Sequence, residues 1–590
     1  MKDFFKYVLA TVVGLFVFGI VMAILGMMSI VGMVASGEAT QNVSKNTVLV
    51  LNMNGAIEEQ GEDNFMSTLT GQPGTTGLDD ILSAIKKAKD NERIKGIYIE
   101  AGALSTSFAT LQEIRNALND FKESGKWIIA FADTYTQGTY YLATVADKIF
   151  MNPKGMLDWH GMGAQPMYVK DLAGKFGVKF QVIKVGTFKS ATEMYTETKM
   201  SDANRLQTEA YVNGLWEHVL NTVSESRGIS IDSLNSYADR LLAFDEPENL
   251  IKYHFIDSLL YADELKAEVK KMLDIDSTKT VPQVSVADMR NVKGTKKKGE
   301  QIAIYHAYGD IVDQASGSLM SQGGHQIIGN DVCKDLQQLA DDDDVKAVVL
   351  RVNSPGGSAY ASEQIWHAVQ NLKAKKPVVV SMGDYAASGG YYISCAADWI
   401  IAQPTTLTGS IGIFGVIPDV SELMTKKLGL HFDEIKTNRN SLFGTTSRPM
   451  NAEETSIMQG YINRGYSLFR QRVADGRQQP VDSIEQIAQG RVWLGQAALD
   501  IKLVDQLGGI NDAVTKAAEL AGLEEYHTTG YPAPADFFEQ FMSDAKGGGN
   551  YLDEQMRMTL GELYEPMMFI KTATEQTPIQ ARMPFFMTIK

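Results

Sequence analysis

The chain contains one pattern of segments twice, and this duplication limits its fold more than any other feature. Residues 94–100 (IKGIYIE) match residues 345–351 (VKAVVLR), and Tyr140-Tyr141 matches Tyr391-Tyr392. Both matches have the same offset of 251 residues. Because separate blocks share one offset, the sequence indicates an internal duplication and predicts two similar folded units.

Each copy alternates short apolar strands with amphipathic helices. In the first copy, a helical pattern precedes a strand at Gly96–Ile99, and a second helical pattern precedes a strand at Trp127–Ala132. The second copy repeats this order with strands at Ala347–Val352 and Val378–Ser381. Strands that are apolar throughout and separated by helices favour a parallel sheet covered by right-handed crossovers. The predicted fold class is therefore α/β, with two tandem homologous domains.

The amino-terminal segment is typical of a membrane anchor. No charged residue occurs from Tyr7 to Gly37, which exceeds the ~20 residues that a helix needs to cross a bilayer. Lys2 and Lys6 precede the run, so the positive-inside bias places the amino end in the cytoplasm and the rest across the membrane. We expect one transmembrane helix within residues 7–35 and a large extracytoplasmic body at the plasma (inner) membrane. A cleaved signal peptide is the alternative, since residues 35–37 are small.

These features divide the chain into five predicted parts. The polar stretch from Val281 to Gly299 is typical of a linker between the copies. The parts are a cytoplasmic stub and anchor at 1–45, the first copy at 46–280, a linker at 281–300, the second copy at 301–530 and a tail at 531–590.

Composition excludes several classes of protein. With 44% hydrophobic and 21% charged residues, the chain is neither wholly disordered nor a multi-span transporter. A formal net charge of −16 makes a broad basic surface for nucleic acid unexpected. Only Cys333 and Cys395 are present, so the sequence predicts no disulfide framework and no cysteine-based zinc site.

The second copy carries two motifs that the first copy lacks. Residues 354–357 (SPGG) follow a strand, and adjacent glycines let backbone N–H groups approach a ligand closely. Ser388 lies between small residues where a strand passes into a helix, and the amide of Gly389 follows it. This position suits a nucleophile beside an oxyanion donor, although a helix N-cap is the alternative interpretation. The first copy has Gln137 at the matching position, so it has no nucleophile there.

A serine nucleophile needs a base, and a lysine is the strongest candidate. None of the eight histidines lies in a segment that resembles a triad motif. Lysine can act as the base if burial lowers its pKa by several units from ~10.4. The first copy has Lys189 where the second copy has Ser441. The copies are thus complementary, because one has lost the serine and the other has lost the lysine.

Together these motifs resemble the signal peptide peptidase A family, also called protease IV, in its long duplicated form. The most specific segments are VLRVNSPGGSAYASE, SMGDYAASGGYYIS and GTFKSATE. The resemblance covers about residues 47–530 and the amino-terminal anchor. It implies two tandem domains with a Clp protease/crotonase-like fold, a spiral of ββα units.

The resemblance also implies a serine endopeptidase with a Ser/Lys dyad and no metal or cofactor. Carried over by residue, Ser388 is the nucleophile and Lys189 the general base. Gly389 and Gly356 are the expected oxyanion donors, with Gly356 chosen between the two turn glycines, and Ser410 is an accessory residue that orients the lysine. The implied substrates are hydrophobic peptides such as cleaved signal peptides, and the implied assembly is a homotetramer.

Four other functions explain less of the sequence. A crotonase-like acyl-CoA enzyme leaves the anchor, Ser388 and Lys189 unexplained, and a non-catalytic scaffold would not need either residue. A Ser/His/Asp hydrolase lacks a histidine motif. A metalloprotease lacks His-Glu-x-x-His, and the acidic run Asp341–Asp344 is typical of a solvated loop.

Overall fold

The predicted anchor lies outside the part of the chain that can be described. The structure, a computed structural model, describes residues 42–61, 76–294, 298–314, 325–445, 447–532 and 579–583, together with Gly14 and Phe18. Among these residues, no helix is both long and apolar enough to span a bilayer.

The first copy consists of strands and helices in alternating order. Its strands are β1 (Thr47–Glu58), β2 (Thr76–Gly77), β3 (Ile94–Ser105), β4 (Trp127–Tyr135), β5 (Lys148–Leu157), β6 (Lys179–Lys184), β7 (Ser258–Leu259) and β8 (Gln283–Ser285). Its helices are α1 (Leu78–Asp90), α2 (Phe108–Lys122), α3 (Gln137–Ala143), α4 (Lys170–Lys175), α5 (Glu193–Thr196), α6 (Asp202–Arg227), α7 (Ile231–Asp239), α8 (Pro247–Lys252), α9 (Ala262–Met272) and α10 (Val286–Arg290), with a 3₁₀ turn at Leu242–Phe244.

The second copy repeats this order. Its strands are β9 (Glu300–Tyr308), β10 (Asp310–Val312), β11 (Gln326–Ile328), β12 (Val345–Ser354), β13 (Gly356–Ser358), β14 (Val378–Ala387), β15 (Trp399–Ala402), β16 (Leu407–Gly409), β17 (Phe414–Asp419), β18 (Val492–Leu494), β19 (Gln506–Leu507) and β20 (Tyr526–Tyr531), followed by β21 (Ile579–Arg582) near the carboxyl end. Its helices are α11 (Gly329–Asp341), α12 (Ala359–Lys373), α13 (Gly389–Ser394), α14 (Ala452–Arg477), α15 (Val481–Ile487), α16 (Gly495–Asp500) and α17 (Ile510–Ala521), with a π-helical turn at Leu423–Lys427.

The duplication is confirmed at the level of single elements. Helices α1 and α11 begin and end 251 residues apart, and so do α2 and α12. The first sheet has the order β2-β1-β3-β4-β5-β7. In the second copy, β9, β12, β14 and β15 correspond to β1, β3, β4 and β5, and they are neighbours in the same order in another sheet. The pairs β1–β3, β3–β4 and β4–β5 are parallel, as are β9–β12, β12–β14 and β14–β15. The predicted parallel α/β architecture is therefore present in both copies.

Two segments that lie outside the predicted copies, in the linker and in the tail, belong to the folded body. Within the predicted linker, β8 pairs in parallel with β1, and α10 contacts α1. Within the predicted tail, β21 pairs with β13 and β17 of the second copy. Both segments are short and polar, so periodicity carries little signal for them, and their pairing partners are distant in sequence.

One large hydrophobic cluster contains side chains of both copies. A cluster of buried side chains includes Leu49 and Ile99 from the first copy together with Val349, Val379 and Ala517 from the second. The last of these lies on α17, which contacts β12 and β14. Because apolar area is removed from water between the copies, their relative placement is part of the folded state.

A buried ion cluster also joins the copies. Arg351 of β12 donates from Nε to Glu59 Oε2 at 2.8 Å and from Nη2 to Glu113 Oε2 at 2.8 Å. All three side chains are almost fully buried. Burial alone would raise the pKa of Glu59, but the Arg351 guanidinium lowers it below its ordinary value. Nearby, Asp384 accepts hydrogen bonds from the amide and hydroxyl of Thr110 at 2.9 and 2.8 Å.

We predict that Arg351→Ala lowers the free energy of unfolding by about 3–5 kcal/mol, because it leaves buried carboxylates without their counter-charge. Thermal unfolding followed by circular dichroism measures the effect. The control is Arg240→Ala, which removes the surface pair with Asp245 and should leave the melting temperature unchanged. Equal melting temperatures for both variants would contradict the importance of the buried cluster.

Candidate active site

Ser388 occupies a strained turn between a strand and a helix. It follows β14 and directly precedes α13, and its backbone has φ 56° and ψ −112°. A serine rarely adopts a positive φ, and such strain persists only where the surroundings impose it. The Ser388 amide donates to the Gly409 carbonyl at 2.8 Å, which holds the turn against β16. Its side chain makes no capping hydrogen bond, so the N-cap interpretation is not supported.

Lys189 of the first copy meets Ser388 of the second. The distance between Lys189 Nζ and Ser388 Oγ is 2.8 Å. The same nitrogen lies 3.0 Å from both the carbonyl oxygen and the hydroxyl oxygen of Ser410. Ser388, Lys189 and Ser410 are all fully buried. The structure thus brings together three of the residues that the sequence singled out.

The surroundings of Lys189 favour its uncharged form. Burial lowers the pKa of Lys189 well below its usual value. An uncharged amine has two N–H groups and one lone pair, and the two Ser410 oxygens can accept both N–H groups. The lone pair is then left for the hydroxyl proton of Ser388. This is the arrangement that a general base requires.

Backbone of the second copy contacts the segment that carries Lys189. The amide of Phe188 donates to the Gln489 carbonyl at 2.9 Å. A Cβ atom at Gly490 would lie 2.6 Å from Lys189 Cβ, and one at Gly412 would lie 3.2 Å from Lys189 Cδ. Glycine at these two positions therefore lets backbone pack directly against the lysine side chain.

Two polar residues that the sequence analysis did not single out also fix this segment. Gln207 of α6 donates to the Phe188 carbonyl at 3.1 Å and to Ser190 Oγ at 2.9 Å, and it accepts from the Val492 amide at 3.2 Å. Glu193 accepts from Ser201 Oγ at 2.6 Å. Glu193 stands in the quoted GTFKSATE segment, whereas Gln207 has no motif that could have identified it.

The two predicted oxyanion glycines lie side by side. A Cβ atom at Gly356 would lie 2.8 Å from the amide nitrogen of Gly389. Gly389 is the first residue of α13, where helix geometry leaves the amide without an intrahelical acceptor. The amide of Gly356 donates to Ser354 Oγ at 3.1 Å within its own turn. The geometry therefore favours Gly389 as an oxyanion donor, and the role of Gly356 stays a prediction.

Neither a histidine nor a metal cluster accompanies this serine in the described residues. All eight histidines are described, and none lies within hydrogen-bond distance of Ser388 Oγ. Burial lowers the pKa of His218 and of His306 to about 4. The described part of the chain also contains no group of acidic, histidine and cysteine side chains suited to a metal ion.

In the first copy, the side chain of Gln137 occupies the turn that matches the turn of Ser388. Gln137 begins α3 at the position that corresponds to Ser388. Its side chain donates to the Gly161 carbonyl at 2.8 Å and accepts from the amides of His160 and Gly161 at 2.9 and 2.7 Å. The glutamine therefore serves the backbone of its own copy, and no nucleophile is present there.

Comparison with known proteins identifies the family. The Peptidase family S49 model matches residues 120–276 and 370–524, and the Clp protease model matches residues 298–406. The chain belongs to peptidase family S49. Lys189 lies in the first span matched by the S49 model and Ser388 in the second. The protein is therefore a serine protease with an α/β, Clp-protease-like fold and two tandem S49 domains.

Individual relatives agree with this assignment. The chain is 34% identical over 532 residues to Protease 4 of Salmonella typhi, covering 87% of this chain and 84% of that protein. It is 34% identical over 530 residues to Protease 4 of Haemophilus influenzae, covering 84% and 83%. It is 30% identical over 488 residues to the chloroplastic serine protease SPPA of Arabidopsis thaliana, covering 82% and 70%.

We predict that Gly490→Ala lowers kcat by about tenfold or more, because the new methyl group would displace Lys189 from Ser388. Gly490 has φ +81°, so the substitution also strains the backbone. Gly444→Ala is the matched control, since Gly444 has φ +80° and no atom within 4 Å of the added Cβ. Hydrolysis rates of an apolar peptide ester compare the two. A similar loss of kcat in both variants would attribute the effect to strain alone.

Proposed function

We propose that this S49 peptidase is a membrane-anchored endopeptidase that cleaves hydrophobic peptides, such as cleaved signal peptides, with a Ser388/Lys189 dyad. The observation that carries the proposal is the 2.8 Å distance between Lys189 Nζ and Ser388 Oγ in a fully buried site. The family gives the reaction class, and this contact supports the assignment of the two roles.

In the proposed first step, Ser388 Oγ attacks the carbonyl carbon of the scissile bond while its proton passes to Lys189 Nζ. The C–O bond forms and the carbonyl oxygen becomes an oxyanion. The C–N bond then breaks, and Lys189 returns the proton to the leaving amine. Lys189 Nζ then takes a proton from a water molecule, whose oxygen attacks the carbonyl carbon of the acyl-enzyme. The bond between that carbon and Ser388 Oγ breaks, and Ser388 Oγ takes the proton back from Lys189.

The oxyanion would be stabilised by the amide of Gly389 at the start of α13. In comparable sites the loss of one donor costs about 2.7–4 kcal/mol of transition-state stabilisation. Ser410 would act as a positioning residue, because its two oxygens hold the amine in the orientation that directs the lone pair at Ser388. Its backbone has φ 48°, and its amide donates to the Arg491 carbonyl at 2.7 Å.

The preference for hydrophobic peptides follows from the same burial. A lysine remains uncharged only where water and counter-ions are kept away, so a substrate that excludes water from the site maintains the active form of the base. Apolar side chains from both copies, Tyr211, Leu407 and Val492, lie together beside Ala387, the residue before Ser388. An apolar substrate side chain would bury its area against them.

Residues 7–35 would anchor the enzyme in the plasma (inner) membrane with the catalytic body on the extracytoplasmic side, and a homotetramer is the proposed assembly.

We predict that the full chain sediments with membranes after a carbonate wash, whereas a variant that lacks residues 1–41 remains in the supernatant with its peptidase activity. Analytical ultracentrifugation of that variant measures the number of subunits. A soluble full chain would contradict the anchor.

We predict that Ser388→Ala and Lys189→Met each lower kcat/KM on an apolar peptide ester by on the order of 10⁴–10⁶-fold. Circular dichroism checks that the fold is retained. The matched controls are Ser394→Ala, a buried serine at the end of α13, the helix that follows Ser388, and Lys179→Met, a surface lysine on β6, the strand before Lys189. Full activity in either dyad variant would contradict the assignment.

The pH dependence gives a separate test. Because the base works uncharged and burial lowers its pKa, kcat/KM should rise with pH through that lowered pKa and reach a plateau below ~10.4. Lys189→Arg should be inactive at every pH, since its guanidinium stays charged. A rate that falls as pH increases from about 5 to about 9 would contradict a neutral lysine base.

A further inference from the structure

Lys189 lies in a stretch of irregular chain between β6 and α5, which we call the lysine segment (residues 185–192). Because neither a helix nor a strand fixes this segment, other contacts must hold the amine at 2.8 Å from Ser388 Oγ. One of them is the hydrogen bond from the Phe188 amide to the second copy. Further contacts come from side chains in the first two turns of α6.

A single carboxamide binds both neighbours of the lysine. Gln207 Nε2 donates to the carbonyl oxygen of Phe188 at 3.1 Å and to Ser190 Oγ at 2.9 Å, the residues directly before and after Lys189. Gln207 is only 1% exposed, so water cannot readily replace these partners. The position of the lysine backbone therefore depends on one side chain.

The other end of the same carboxamide reaches the second copy. Gln207 Oε1 accepts from the Val492 amide at 3.2 Å, and Val492 pairs with Gly409 where β18 and β16 are antiparallel. The Gly409 carbonyl in turn accepts from the Ser388 amide at 2.8 Å. Gln207 thus connects the lysine segment with the strand pair that holds the turn of Ser388.

A buried polar cluster fixes Gln207 itself. Asn204 Oδ1 lies 3.2 Å from Gln207 Nε2, and Asn204 Nδ2 donates to Glu193 Oε2 at 3.0 Å. Glu193 Oε1 accepts from Ser201 Oγ, the N-cap of α6, at 2.6 Å. Buried polar groups that satisfy one another hold a single arrangement, because any other would leave donors or acceptors unpaired.

The second copy has the same helix without the glutamine. Helices α6 and α14 contain 26 residues each, begin and end 250 residues apart, and carry Tyr211 and Tyr461 at matching positions. At this offset Gln207 matches Ile457, which is 53% exposed. The helix therefore does not need a glutamine there to fold. The carboxamide occurs only in the copy that has the lysine.

We propose that Gln207 is a positioning residue of the Ser388/Lys189 dyad, whose carboxamide fixes the lysine segment against the strands that hold the turn of Ser388 and keeps the amine enclosed. This inference rests on the proposed function. Within the described part of the chain, Gln207 makes no hydrogen bond to the Lys189 amine or to Ser388. It therefore acts through the backbone segments on which these two residues stand.

Gln207→Met tests the proposal, because methionine is similar in size but has neither the donors nor the acceptor of the amide. We expect kcat on an apolar peptide ester to fall about 10²-fold, the cost of a displacement of about 1 Å between reacting groups, with KM changed less than about twofold. A less enclosed amine would also be better hydrated, which moves its pKa back towards the ordinary value. The rise of kcat/KM with pH should then occur at least about one pH unit higher than in the parent enzyme.

Three charged side chains lie along the lysine segment and stay in place in this variant. Lys184 Nζ lies 3.4 Å from the Lys189 carbonyl oxygen, the Arg491 guanidinium lies 5.2 Å from the centre of the Phe188 ring, and Glu193 is held by Asn204. Because Gln207→Met changes none of these charges, a shifted profile would report the hydration and position of the amine.

Gln112→Met is the matched control. Gln112 of α2 donates to Asn116 Oδ1 at 2.6 Å, and its Oε1 lies 2.9 Å from His218 Nε2, so the same substitution removes hydrogen bonds at a site in the first copy that does not contact the lysine segment. Its melting temperature should fall, while its pH profile should match that of the parent enzyme. If both variants lose kcat equally and keep the parent pH profile, Gln207 only supports the fold and the proposal is overturned.

Gln207→Glu gives a second, independent variant. It keeps the size of the side chain and an acceptor for the Val492 amide, but an ionised carboxylate cannot donate to the Phe188 carbonyl. The added negative charge beside the lysine segment favours the protonated amine, so the rise of kcat/KM should again move to higher pH. A folded Gln207→Glu enzyme with the parent kcat and pH profile would refute the positioning role.

Hydrogen exchange separates this inference from the dyad, because it needs no activity. In a Ser388→Ala background, mass spectrometry should show amides of residues 186–192 exchanging at least about tenfold faster with Gln207→Met than with Gln112→Met. Active Ser388→Ala or Lys189→Met enzyme would reject the dyad and leave this exchange result standing. An inactive dyad, combined with parent-like exchange, kcat and pH profile in Gln207→Met, would reject the role of Gln207 and leave the dyad standing.

Discussion

The contact between the Lys189 amine and the Ser388 hydroxyl is the interaction on which the rest of this structure depends. It is chemically useful only if the amine is uncharged, and an amine that titrates near 10.4 in water is uncharged near neutral pH only when it is desolvated. The site meets this condition by enclosing the lysine completely and by giving its two N–H groups neutral acceptors on Ser410. Burial of the amine is what lowers the pKa of Lys189.

Because Lys189 and Ser388 belong to different copies, the distance between their side chains depends on the relative position of the copies, and the proposed dyad would depend on it too. A displacement of about 1 Å between reacting groups can cost 10²-fold in rate, so the interface must be specific as well as stable. The shared apolar core stabilises the contact between the copies by burying apolar area, but the hydrophobic effect does little to fix their relative orientation. Polar contacts near the carboxyl ends of β12 and β14 fix the relative orientation of the copies. Arg351 forms ion pairs with Glu59 and Glu113, and Asp384 accepts a hydrogen bond from Thr110. These residues lie next to the Ser-Pro-Gly-Gly turn and the turn of Ser388, so the polar contacts that fix the copies also fix the catalytic loops.

Much of this arrangement could be predicted from the sequence because the two copies can be aligned with each other. Matching the copies at one offset predicted the order of strands and helices in both copies, and the residues present in only one copy singled out Ser388 and Lys189. The same method could not find β8, β21 or Gln207. The two strands are short and polar and pair with distant partners, and a glutamine in the second turn of a long helix is typical of a solvated face. Hydrophobic periodicity indicates which residues are buried, but it does not indicate which strand, distant in sequence, a short segment will pair with.

Under the proposed mechanism neither copy would be catalytic alone, because Lys189 and the groups around it come from different copies. The first copy supplies Lys189, but the groups that enclose it, Gly412, Gly490 and Ser410, belong to the second copy. Separated from them, the amine would be hydrated and charged, and it would have no lone pair to accept a proton. Ser388 would likewise have no base. In the proposed mechanism, folding of the two copies onto each other would therefore create the base and bring the nucleophile within its reach in the same step, so Lys189 would act as a base only in the assembled protein.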